Sequence, residues 1–152
     1  MASNLYHTGL KRIMSRLTGA IDLEADDIRV MLVTSSYTPN KDHEFVSDVV
    51  AAELSGTGYT GGFGGSGRKA LTTPLIGNDT TGDFAYFDAD DVTWTAISAG
   101  TPAYAIVHKK GAADASSPLI CCVDVVDLTT GGENYKITWA APASGAIFKW
   151  AA

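Results

Sequence analysis

Charged side chains are scarce in this sequence: Asp, Glu, Lys and Arg make up 18% of its 152 residues, below the roughly 25% of an ordinary globular chain. Fewer charges leave fewer groups to hold water at the surface, which a protein that hides surface against copies of itself can tolerate. Positive charge is the scarcer sign, with 11 Lys and Arg against 17 Asp and Glu, a net charge of -6 and a pI near 4.8. That is the wrong sign for affinity built on neutralising phosphates, so nucleic acid is not an expected partner. No apolar run reaches the roughly 18 to 20 residues of a membrane helix, and Met1-Ala2-Ser3-Asn4 starts polar, without the charged and apolar regions of a signal peptide. The reading is a chain that is cytoplasmic when made and has no membrane partner. Cysteine is nearly absent. Cys121 and Cys122 are adjacent in a strand-like run, where neighbouring side chains point to opposite faces and cannot easily bridge, so two buried, reduced thiols are expected.

What the chain does have is apolar patterning, with hydrophobic residues at 45%. Its length suits one domain, 1–152, burying roughly two-thirds of the surface that the unfolded chain exposes. The spacing of Leu10, Ile13, Met14 and Leu17 predicts a short helix over about residues 4–18, capped by Ser3 or Asn4 and ended by Gly19. Beyond Asp27 the pattern is that of strands: 28–34, 83–87, 91–97, 103–109, 119–126, 135–140 and 146–150 are apolar or β-branched runs bounded by turn-forming residues. Connections too short for crossover helices imply antiparallel pairing. The expected fold is therefore mainly β, an antiparallel, jelly-roll-like β-sandwich with a short N-terminal α-helix. Residues 45–54 fit a helix and short strands equally. Residues 55–67 are so rich in glycine that regular structure is entropically costly, which predicts a long exposed loop or arm.

Motifs for chemistry are near misses. Gly56-x-Gly58-x-x-Gly61 matches the dinucleotide fingerprint in letters but lacks the strand before it and the helix after it. Gly62 to Lys69 approaches a phosphate loop, yet Arg68 stands where Lys belongs and Lys69 where Ser or Thr belongs. His43-Glu44 begins a zinc-protease motif, but Ser47 replaces the second histidine; His7, His43 and His108 are scattered. Asp88, Asp90 and Asp91, like Asp22, Glu24, Asp26 and Asp27, are grouped carboxylates without calcium-loop spacing, and read as turn chemistry. Trp94, Trp139 and Trp150 sit in strand-like runs and read as packing residues. No cofactor, metal or catalytic residue is assigned. A hydrolase using Asp88, Asp90 or His108 is the weakest rival.

Blocks along the chain do carry a resemblance. Asp26 to Val33, Tyr37-Thr38-Pro39-Asn40, His43 to Asp48, Gly56 to Thr60, Phe87 to Trp94, Tyr104 to Val107 with Lys109-Lys110-Gly111, and Ser116 to Ile120 look, in that order, like a group of tailed-bacteriophage virion structural proteins. The resemblance runs from about Asp22 to Phe148 and implies a scaffold without a catalytic set. It implies a head decoration or cement protein on the exterior of the virion, bound to the major capsid protein and to copies of itself as a homotrimer. A neck, tail or fibre-base component is the alternative, and a host-surface carbohydrate-binding module the alternative of another class. The residues expected at contacts between copies or with the shell are the helix stripe Leu10, Ile13, Met14 and Leu17 and the loop tip Gly61, Gly62, Phe63, Gly64 and Gly65.

Overall fold

The computed structural model describes residues 3–15, 19–144 and 146–151. Ten strands and one α-helix are assigned among them: β1 (Ser3–Leu5), α1 (His7–Met14), β2 (Ile28–Val33), β3 (Lys69–Ala70), β4 (Leu75–Asp79), β5 (Phe84–Asp88), β6 (Val92–Trp94), β7 (Tyr104–Lys109), β8 (Leu119–Asp124), β9 (Tyr135–Ile137) and β10 (Phe148–Ala151). All pairings between these strands are antiparallel. They form a five-stranded sheet ordered β1-β8-β7-β2-β3, a three-stranded sheet β10-β5-β4 and a two-stranded ribbon β6-β9. The protein is mainly β and sandwich-like, with one short N-terminal helix.

The five-stranded sheet is covered on both faces, and strand alternation sorts its side chains between two cores. Val30, Leu32, Ala105, Val107, Cys121 and Val123 meet Phe87, Trp94, Ile137 and Phe148 of the smaller sheets in the larger core. Met31, Val33, Ile106 and Cys122 project the other way, onto Tyr6, Tyr37, Val46 and Val49. This double cover is why β2 is apolar at nearly every position rather than at every second one. The adjacent cysteines fall into different cores, both free and buried. Burial pushes the Cys121 thiol well up and the Cys122 thiol to about 12.

All seven expected runs contain strands. The N-terminus differs from expectation. Ser3 and Asn4 pair with Val123 and Cys122 in β1 instead of capping a helix, and α1 is shorter than residues 4–18. Tyr6 precedes its first turn and Ser15 closes its last, so Gly19 is not its cap. The helix lies against β8 through Gly9, where a Cβ would run into the Leu119 carbonyl oxygen. Strand pairing of β1 and that close approach, rather than the apolar stripe, set where the helix begins and how it is rotated. Residues 45–54 become two single turns of 3-10 helix, 46–48 and 50–52, with Asp48 accepting the Glu44 and Phe45 N–H groups at 2.9 and 3.0 Å.

Candidate interaction surfaces

On α1 the expected stripe divides. Leu10 and Ile13 are half-buried, Ile13 against the larger core, whereas Met14 is 76% exposed; Leu17 lies outside the described residues. Because Gly9 is the buried face, the stripe is turned partly to solvent.

The glycine-rich segment is a largely exposed loop, and its two flanks tie it to the domain. Gly56 and Tyr59 form a bridge, Thr57 bridges to Ser98, and the buried Tyr59 hydroxyl accepts the Leu32 N–H at 2.9 Å and donates to Glu53 at 3.2 Å. Glu53 precedes the segment and Arg68 follows it. The Arg68 guanidinium donates to both Glu53 oxygens, Nε to Oε1 at 2.9 Å and Nη2 to Oε2 at 2.7 Å, and to Asp114 at 2.5 Å through Nη1. Glu53 Oε2 also accepts the Gly62 N–H at 2.9 Å, and the Gly67 carbonyl accepts the Trp94 indole N–H at 2.6 Å. The entropy that glycine loses is thus offset by a buried charge clamp and by hydrogen bonds that composition does not reveal. At the tip, Phe63 and Gly64 are exposed while Gly61, Gly62 and Gly65 are half-buried, and the Lys110 ammonium sits 6.0 Å from the Phe63 ring centroid.

Several of the residues singled out for chemistry make structural contacts. Arg68 of the near-miss phosphate loop is the clamp, and Lys69 is in β3. Asp22 accepts the Glu24 and Ala25 N–H groups, Asp26 pairs with Lys109 at 2.8 Å, and Asp27 grips Arg29 with two bonds that hold its carboxyl below the usual value. Asp90 accepts the Thr73 hydroxyl, and Asp91 holds the Trp139 N–H and the Lys136 ammonium. Among the described residues no group of three or more His, Cys, Asp or Glu is placed to hold a metal ion. His7 pairs with exposed Asp42 and His43 with the Tyr37 hydroxyl. His108 is 1% exposed, its Nε2 has no hydrogen-bond partner among the described residues, and burial lowers its pKa to about 4. No hydrogen bond joins it to Asp88 or Asp90. Trp94 and Trp139 are buried, and Trp150, Tyr86 and Tyr104 are half-buried.

The structure reveals two apolar surface features that the sequence reading passed over. Leu75 and Ile76, 49% and 47% exposed, lie on β4 at the open edge of its sheet. Glu24 Oε1 accepts the Ile76 N–H at 3.0 Å, which turns that position of the strand outward, away from β5. Val126 and Leu128, 75% and 51% exposed, follow β8 and border a groove of about 470 Å³ shared with Val125, Tyr135, Lys136 and Ile137. Pro74 before β4 and Gly77 within it disguised the strand; the apolar letters themselves were visible. Comparison with protein-family models, with curated proteins and with solved structures finds no match for this chain.

Proposed function

We propose that this chain is a non-enzymatic structural protein of a tailed-bacteriophage particle, a decoration protein that binds the lattice of the major capsid protein on the head exterior and contacts copies of itself there. The observation that carries the reading is the contrast between the interior and the edges. Asp22, Asp91 and the Glu53–Arg68–Asp114 clamp are engaged in turns, loop ties and strand ends, while large apolar side chains stand uncovered at the sheet margins: Leu75, Ile76, Val126 and Leu128. A rigid sandwich with apolar margins and few charges suits a chain whose job is to be covered by neighbours. The block resemblance to phage virion proteins supplies the particle.

Co-sedimentation tests it. Purified chain is mixed with heads that lack it, and saturable binding with one stoichiometry per lattice position is expected. A chain that stays in the supernatant at every concentration, with heads shown intact, would refute the decoration role.

A further inference from the structure

We infer that the margin of β9 is a docking site for an extended peptide of basic character, which adds to the β6–β9 ribbon as a third strand and lays apolar side chains against Val126 and Leu128. The inference goes beyond the proposed function and does not depend on it.

β9 belongs to a ribbon of two strands, and no strand among the described residues pairs with its far side. The bonds flanking the ribbon fix which backbone groups that side presents. Trp139 N–H donates to the Asp91 carboxylate, and the Glu133 carbonyl accepts the Ile97 N–H. Odd-numbered residues of this stretch therefore turn their backbone toward β6, and Lys136 turns its N–H and C=O away. Those groups face the groove. Its lining includes five consecutive residues, 134–138, and because side chains alternate across a strand, consecutive residues line one groove only along the strand's edge. They offer about 14 Å of edge at roughly 3.4 Å per residue, room for an incoming segment of the same length.

The opposite wall is already in place. Val125 N–H donates to the Ala103 carbonyl at 3.1 Å, and the Val126 carbonyl accepts the Leu128 N–H at 2.9 Å and the Tyr135 hydroxyl at 3.1 Å. These ties leave the Val126 and Leu128 side chains in solvent beside a floor of Val125, Tyr135 and Ile137 that is part of the larger core. Alternate side chains of an added strand would extend that core. The edge is also unguarded. On β4, Glu24 occupies the Ile76 N–H, whereas on β9 the Lys136 ammonium is drawn back across the ribbon to Asp91, the residue before β6.

Charge decides what kind of segment fits. The Lys136–Asp91 pair cancels itself. Asp124 and Asp127 on the wall segment and Glu133 just before β9 are exposed, and none of them is in an ion pair among the described residues. No Lys or Arg occurs from Gly111 to Tyr135. The uncancelled charge around the groove is therefore negative, which favours a partner that carries Lys or Arg beside its apolar residues. A second copy, with its own net charge of -6, is the poorer match.

A synthetic peptide tests the site: acetylated, amidated Lys-Val-Ser-Val-Ser-Val-Lys, with a version carrying Glu for both Lys. The full-length chain should bind the lysine peptide saturably and less tightly as salt rises, and the glutamate version more weakly. Hydrogen exchange at the Lys136 amide, followed by NMR, should slow when the peptide is bound. Val126→Asp should bind at least about tenfold more weakly, because the added carboxylate would be covered by apolar groups. Leu128→Ser should weaken binding less. Both residues are exposed, and native circular dichroism with a cooperative melt verifies each variant. Absence of saturable binding overturns the inference, as do equal affinities for the two peptides, a Val126→Asp variant that binds like wild type, or a Lys136 amide that exchanges equally fast in the complex. Wild type that self-associates in sedimentation velocity and is made monomeric by Val126→Asp would assign the groove to a second copy and overturn it as well.

Discussion

Replacing Arg68 with methionine probes the clamp that holds the glycine-rich segment. The Arg68 and Glu53 side chains are each 3% exposed, and Asp114 is 21% exposed. In the variant Glu53 keeps its Tyr59 and Gly62 donors but loses the Arg68 cation and its two guanidinium bonds. Breaking a buried pair by removing one partner costs about 3 to 5 kcal/mol, because a charge remains in the interior without compensation. For a chain of this size that corresponds to a fall in Tm of about 6 to 20 °C. Urea unfolding followed by tryptophan fluorescence should show a lower midpoint with an unchanged slope. The double variant Arg68→Met with Glu53→Leu should lose less than the single one, since the only charge it leaves without Arg68 is Asp114, which at 21% exposed is partly open to water. A loss below about 1 kcal/mol for Arg68→Met would refute this reasoning and mean that water reaches Glu53.

Acid should weaken the fold through His108. Its folded pKa is lowered to about 4 from the ordinary 6.5, so below pH 6.5 the unfolded chain binds the extra proton and stability falls, by about 3 kcal/mol at pH 4. The lowered carboxyls of Asp27, Asp48 and Asp91 act in the same direction only below their ordinary 3.8. Subtracting the unfolding curve of His108→Leu should remove the loss between pH 6.5 and 4, and identical pH profiles for the two proteins would contradict the assignment. Native Cys121 and Cys122 should alkylate far more slowly at pH 8 than the urea-unfolded chain does, given their burial and raised pKa values; equal rates would place one of them at the surface. In the loop, Gly64→Ala should change stability by less than about 0.5 kcal/mol, because a Cβ there meets open space. Gly65→Ala should cost more than about 1 kcal/mol, because its Cβ would collide with the Thr60 carbonyl oxygen. Equal effects in unfolding titrations would mean that the segment is loose after all.

The sheet strands were legible because their apolar runs are long and their stops are chemical: Ile28 to Val33 ends at Ser35 and Ser36, and Leu119 to Asp124 begins after Pro118. The opposite facing of Cys121 and Cys122 followed from alternation alone. Three short strands escaped. β1 looked like a helix start because Ser3 and Asn4 are good caps, and only the distant partners Val123 and Cys122 decide otherwise. β3 is two residues long, and β4 hides between Pro74 and Gly77. What ties the glycine segment down was not legible for the same physical reason: Glu53, Arg68 and Asp114 are separated by up to 61 positions in sequence, and no local window brings them together. Met14 was legible as an apolar surface candidate. Leu75, Ile76, Val126 and Leu128 were not, because exposure at a sheet margin depends on which strands end where.

The proposed decoration role is tested most directly by absolute quantification of this chain in purified tailed-phage particles, by mass spectrometry against the major capsid protein. The account predicts on the order of hundreds of copies in a fixed ratio to the capsid protein, as a chain repeated over a symmetric lattice requires, and all of them in the head fraction after tails are removed. A count of tens or fewer, copies that travel with the tail, or absence from the particle would contradict it.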